Sequence, residues 1–150
     1  MLMTDAGPID ADLTQVARSR RRAALARRLR REPVGRDRLR VYDERALPRL
    51  GAPRRGIREI PLEAIGGTLE PSRATLFDRC CRPAGGARAR WQRLWLAEHR
   101  GAVLPPISVV LVGDAYAVPD GHHRVSVARA RGALTIDATV DTVQPGVGSA

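Results

Sequence analysis

Lysine is absent: all 26 basic residues are arginine, set against 16 acids for a net charge of +10. An all-arginine chain reflects a GC-rich genome as readily as selection, so the choice of arginine carries no argument by itself. Cysteine is scarce. Cys80 and Cys81 are the only two and they are adjacent, which suits neither a disulfide framework nor a zinc site. They read as reduced thiols of a bacterial-type cytoplasm. Aromatic residues number five, and only Tyr42 lies in the first third. That is too few for a platform on which bases stack. No apolar run approaches the roughly 18 residues of a membrane span. The first residues, Met-Leu-Met-Thr-Asp-Ala, lack the basic and apolar stretches of a secretory signal.

The charge that is present is lopsided. Residues 1–58 hold 16 arginines against 7 acids, whereas residues 59–150 hold 10 against 9. The first ten residues read as disordered. Asp10 or Asp12 then caps a helix that runs to Arg31 and is stopped by Pro33 and Gly35. Leu13, Val16, Ala17, Ala24, Leu25 and Leu29 give it a thin apolar stripe, and Arg20, Arg21, Arg22, Arg27, Arg28 and Arg31 a basic face. Such a face has three readings: contact with nucleic-acid phosphates, contact with an anionic membrane surface, or a solvated or core-packed helix. The first implies non-specific, salt-dependent association with DNA. A second, weaker helix is expected over 37–47, and Pro48, Gly51, Pro53 and Gly56 mark a linker. Residues 1–56 are thus read as a partly helical extension, 57–143 as a domain and 144–150 as a disordered Gly/Pro tail.

Within the domain, Ile57-Arg58-Glu59-Ile60-Pro61 alternates as an edge strand does, a helical turn follows, and 66–68 is expected to loop out. Residues 73–81 read as a short helix or turn with Leu76 and Phe77 inward. Arg88 to Arg100 is the clearest helix: Trp91, Leu94 and Trp95 fall on one core-facing edge, and His99 complements the dipole. Strands are expected at 107–112, 115–118 and 134–140. Together these predict an α+β domain, a small mixed sheet with helices around it.

The junction at Asp120-Gly121-His122-His123-Arg124 stands out. A strand gives way there to a helix that ends at Gly132. A helix start presents unpaired N–H groups and the positive end of its dipole. Gly121 lets an anion approach the backbone, and Arg124 can grip a phosphate with two parallel hydrogen bonds. Gly121, His122, His123 and Arg124 are therefore candidate phosphate ligands. The alternative is that Asp120 is an ordinary N-cap and the rest a polar first turn. A metal site is not expected, because adjacent side chains on a helix diverge by about 100°.

These residues carry a resemblance. Leu104-Pro105-Pro106-Ile107, Gly113, Tyr116, the Asp-Gly-His-His-Arg run, Ala128 and Arg129-Ala130-Arg131-Gly132 resemble the ParB/sulfiredoxin superfamily, over roughly 57–143. The resemblance implies a sulfiredoxin-like fold and a nucleotide (ATP, ADP or CTP, with Mg²⁺) whose phosphates bind at 121–124. The branches differ at this run. ParB carries Gly-Glu-Arg-Arg, so His122 and His123 depart from it. Sulfiredoxin carries Gly-Cys-His-Arg, so His122 replaces its nucleophilic thiol. The free-serine kinase branch, with a similar Asp-Gly-His-His-Arg run, is nearest, and its catalytic acid or base would fall to Asp120, His123 or Glu63. The expected function is a cytoplasmic, nucleoid-associated, nucleotide-binding protein that touches DNA through its basic helix. A phosphotransferase or nuclease is the alternative, and a homodimer stays open.

Overall fold

The computed structural model describes residues 6–33, 37–43 and 56–142. The expected linker at 48–55, the end of the second helix at 44–47 and the tail at 144–150 lie outside those residues. The architecture is α+β. Five strands form one mixed sheet: β1 (Gly56–Pro61), β2 (Ile65–Thr68), β3 (Ile107–Val112), β4 (Ala115–Asp120) and β5 (Thr135–Thr142), in the order β1-β5-β3-β4-β2. β1 pairs antiparallel with β5, β5 parallel with β3, β3 antiparallel with β4, and β4 parallel with β2. Among the described residues three α-helices accompany it, α1 (Ala6–Leu29), α2 (Arg88–His99) and α3 (His122–Ala130). Among the described residues, no helix is long and apolar enough to cross a membrane.

The strands follow their side-chain pattern. On β5, Ala138 and Val140 are buried and Asp137 is exposed, as period two requires. On the edge strand β1 the expected alternation fails, because Ile57 is 66% exposed and only Ile60 is buried. The strand expected at 115–118 continues through Asp120, and Gly66 to Thr68 pairs with β4 as β2 instead of looping out. The edge of β2 is covered in turn. Tyr42 N–H donates to Thr68 O at 2.9 Å, and Thr68 N–H donates to Arg40 O at 2.8 Å. Residues 38–42 are therefore extended, not helical: pairing with a sheet edge outweighs the weak periodicity seen in the sequence.

Two apolar clusters hold the fold. One lies between sheet and α3 and includes Ile60, Phe77, Ile107, Val109, Val118, Val125 and Val140. The other joins α1 to α2 and α3 through Ile9, Leu13, Trp91, Trp95 and Val127. α1 begins at Ala6, earlier than either expected cap, because Pro8 is tolerated in a first turn whose N–H groups lack helical partners. Asp12 is no cap: its carboxylate accepts from Trp95 Nε1 at 2.7 Å. The apolar stripe of α1 docks only in its first half, since Leu25 and Leu29 are 58% and 77% exposed.

Removing most of a buried leucine at this junction costs about 2–4 kcal/mol. Leu13→Ala is therefore expected to lower stability by that amount in urea titration, with a red shift of tryptophan emission. Leu25→Ala, on the open half of the helix, is expected to change both by little.

Candidate functional site

β4 ends at Asp120, the chain turns at Gly121, and α3 starts at His122. The turn has φ +106°, the left-handed region that L side chains avoid. A Cβ at this position would lie 2.6 Å from Ile107 Cγ2 and 2.8 Å from Ile107 Cβ. Glycine is thus required here by the fold, whether or not an anion binds. Asp120 is exposed and does not cap α3; Gly121 is the N-cap and, among the described residues, no side chain bonds the first turn. The N–H groups of that turn remain the donors that a helix start offers to an anion.

The two histidines are interior residues. His122 is 3% exposed and His123 7%. His122 stacks on Phe77 at 6.0 Å between ring centres, and His123 meets the same ring edge-on at 5.0 Å. His122 Nε2 lies 2.6 Å from Thr68 Oγ1, which also accepts from Glu70 N–H at 2.9 Å and lies 3.1 Å from Val118 O. One arrangement satisfies all three contacts: Thr68 donates to Val118 O and accepts from both Glu70 N–H and His122 Nε2–H. In that tautomer Nδ1 of His122 carries no proton, so the ring ties α3 to β2 and offers no N–H to a phosphate.

Burial pushes both imidazoles down to about 4, helped by Arg73 beside His122 and by Arg90 and Arg73 beside His123. Asp120 opposes this without reversing it. At neutral pH neither histidine supplies positive charge. Arginines do. A cleft of about 220 Å³ at the start of α3 is lined by Arg73, Arg90 and Arg124 together with Asp120, Gly121, His122 and His123. Three guanidinium groups stand against one carboxylate. Arg73 comes from the turn at Pro71–Thr75 and Arg90 from α2, so neither belongs to the local run that the sequence marks. Nothing in the sequence distinguishes them from the other arginines.

Arg124 has two tasks. Its Nη1 donates to Pro105 O at 2.5 Å and Pro106 O at 3.2 Å, which fixes the segment before β3. Its Nε and Nη2 edge has no partner among the described residues, and that edge is the one able to take two phosphate oxygens. Glu63 is elsewhere: it is exposed just after β1 and lines a different cavity. It is not brought together with Asp120 and His123. Cys81 is buried, its thiol pushed up to about 11 by burial, and Cys80 and Cys81 also lie away from the cleft. Among the described residues, no three His, Cys, Asp or Glu side chains group as metal ligands.

The six arginines expected to meet nucleic acid lie along or just after α1. Arg21, Arg22, Arg28 and Arg31 are exposed, and Arg20 is half-buried. Arg27 departs from the set: it is paired with Asp37, and its side chain is only 12% exposed.

Among known proteins, no family model and no curated protein matches the chain. A solved structure, that of sulfiredoxin from Arabidopsis thaliana, is similar at 23% identity and a TM-score of 0.44, over 58% of this chain and 85% of the plant chain. A likeness of that size says nothing about chemistry. The α+β architecture stands on the sheet and helices themselves.

Gly121→Ala is expected to cost more than about 2 kcal/mol, because left-handed strain adds to the overlap with Ile107. A urea titration measures it. The buried histidines also set a pH dependence. Their folded pKa lies below the usual 6.5, so the unfolded chain binds protons that the native state refuses. Their contribution to stability is constant above about pH 6.5 and is lost as pH drops toward 4. Urea midpoints at pH 7.5, 6 and 5 should trace that decline, and replacing both histidines by asparagine should flatten it.

Proposed function

We propose that the chain binds the phosphates of a nucleotide in the cleft at the start of α3. The observation that carries this is the meeting of Arg73, Arg90 and Arg124, from three separate elements, at a helix N-terminus. Anions at that position gain from both the unpaired N–H groups and the dipole. Positive charge of that density, opposed among the described lining residues only by Asp120, favours an anion of two or more negative charges. A cleft of 220 Å³ is below the roughly 300–1,000 Å³ of sites that enclose whole ligands. It fits a diphosphate moiety, with the nucleoside outside. The Asp-Gly-His-His-Arg run and its resemblance to the ParB/sulfiredoxin superfamily support a nucleotide as the source of those phosphates.

The named residues then have separate roles. Arg124, through its open edge, grips a phosphate while its Nη1 holds the 105–106 segment. Arg73, from the turn at Pro71–Thr75, and Arg90, from α2, neutralise the remaining charge. His123 lines the cleft as a neutral imidazole, and His122 fixes the helix to β2. Asp120, the one carboxylate in the cleft lining, is where a Mg²⁺ shared with phosphates would be held, because Mg²⁺ takes one or two carboxylates beside phosphate oxygens. Asp120 and His123 also keep phosphoryl transfer admissible as the second reading. Glu63 has no part in it.

A second partner is DNA, bound without sequence preference. Support comes from Arg21, Arg22, Arg28 and Arg31, which are exposed on or just beyond a helix whose apolar half is docked. Deleting α1 would strip Trp91 and Trp95 of their cover, so surface substitution is the cleaner probe.

Titration calorimetry with CTP, ATP, ADP and GTP, each with Mg²⁺, tests the cleft. One nucleotide should bind selectively. Arg73→Ala, Arg90→Ala and Arg124→Ala should each weaken it about tenfold or more, in keeping with a charge-assisted hydrogen bond. No binding by the folded chain, or equal affinity in all three variants, would refute the site. Release of phosphate would move the reading to catalysis. Separately, changing Arg21, Arg22, Arg28 and Arg31 to serine should lower DNA affinity and make the log–log salt slope about 0.9 shallower for each phosphate that is no longer neutralised. An unchanged slope would remove DNA as a partner of α1.

A further inference from the structure

A second arginine-lined groove, of about 780 Å³, runs between α1 and the segment that leads into α2. Arg18, Arg20 and Arg21 come from α1, and Arg88 is the first residue of α2. Asp10 is the one carboxylate among the described lining residues. The groove shares no lining residue with the α3 cleft. Its two walls are held at a set spacing. Arg82, next to the Pro83 that lines one wall, donates to Ser19 O of α1 at 2.9 Å and lies 3.5 Å from the Asp78 carboxylate. Leu13, which also lines the groove, is buried in the cluster that joins α1 to Trp91 of α2.

The guanidinium groups of the groove are unengaged. Arg27, Arg82 and Arg131 each pair with a carboxylate, whereas among the described residues Arg18, Arg20, Arg21 and Arg88 pair with none. Arg18, Arg21 and Arg88 are exposed, and Arg20 is half-buried. Four like charges set against one carboxylate draw anions inward, because the low-dielectric walls of a cleft concentrate their field. The shape narrows the choice of anion. From Asp10 to Arg21 the groove follows α1 for roughly 16 Å at about 1.5 Å per residue. One strand of a DNA duplex carries a phosphate every 3.4 Å or so of axis, so several fit along that length. A flat lipid surface does not enter a groove. No aromatic residue is among the described lining residues, so the stacking that gives single strands their affinity has no platform.

We propose that this groove seats one phosphodiester strand of a DNA duplex, with its phosphates between Arg18, Arg20 and Arg21 on α1 and Arg88 on α2. The proposal rests on the reading that the chain binds DNA. It adds a contact from the domain itself, through Arg88, so that α1 binds DNA as one wall of a groove and only while docked.

Anisotropy of a labelled duplex, titrated with the full chain over a series of salt concentrations, tests this. Arg88→Ser should lower duplex affinity several-fold and make the log–log salt slope about 0.9 shallower, the loss of one phosphate contact. Arg18→Ser should do the same from the other wall. Arg58→Ser removes an equal charge at an exposed position of β1 outside the groove, and should leave the slope unchanged. Equal losses in Arg58→Ser and Arg88→Ser would reduce the effect to net charge and overturn the proposal. So would an unchanged slope in both Arg88→Ser and Arg18→Ser while serine at Arg21, Arg22, Arg28 and Arg31 still flattens it; DNA would then lie on α1 outside the groove. Polyglutamate that competes as well as duplex at equal charge would assign the groove to an acidic peptide instead. No duplex binding by the unaltered chain would remove the DNA reading and this proposal together.

Discussion

The site depends on one contact, the packing of the Gly121 backbone against Ile107. β4 and β3 are neighbours in the sheet, and the chain can leave β4 and start α3 only by passing close over Ile107. A left-handed residue without a side chain makes that turn possible. Arg124 then secures the same junction from the other side by bonding the carbonyls of Pro105 and Pro106, just before β3. The helix start is therefore fixed in position before any ligand is present. For an anion site that is the useful condition, because pre-placed donors need no rearrangement on binding.

α2 connects this junction to the rest of the chain. Arg90 faces the cleft, while the next residue, Trp91, is fully buried and donates through Nε1 to Ser126 of α3 at 2.9 Å. One turn on, Trp95 packs in the same cluster as Ile9 and Leu13 of α1. Two readings of the basic helix, packed on the domain or facing a polyanion, therefore do not exclude each other. Its apolar half is docked, and its exposed arginines lie on what remains.

Local features were legible in the sequence. The Trp91/Leu94/Trp95 edge, the Gly121 break, the helix after it and the strict alternation from Thr135 onward each declare themselves within a few residues. The position of the candidate site followed from the strand-to-helix junction alone. What could not be read depends on tertiary contacts. Residues 38–42 became extended because the edge of β2 was free to accept them. Asp120 lost its capping role to Gly121. His122, a candidate ligand by its place in the run, is tied by Nε2 to Thr68, 54 residues away. Arg73 and Arg90 are two of many arginines until the fold brings them beside Arg124. Glu63 lines a different cavity, since a turn after an edge strand has no local signal for the side it will face.

The most direct test of the phosphate cleft is to follow the arginine Nε–H resonances of the full chain by ¹H–¹⁵N NMR while adding pyrophosphate at moderate salt. If the cleft binds a diphosphate moiety, Arg73, Arg90 and Arg124 shift together with one midpoint, well before the arginines of α1. Shifts confined to α1, or a cleft whose three arginines stay still while α1 responds, would contradict it.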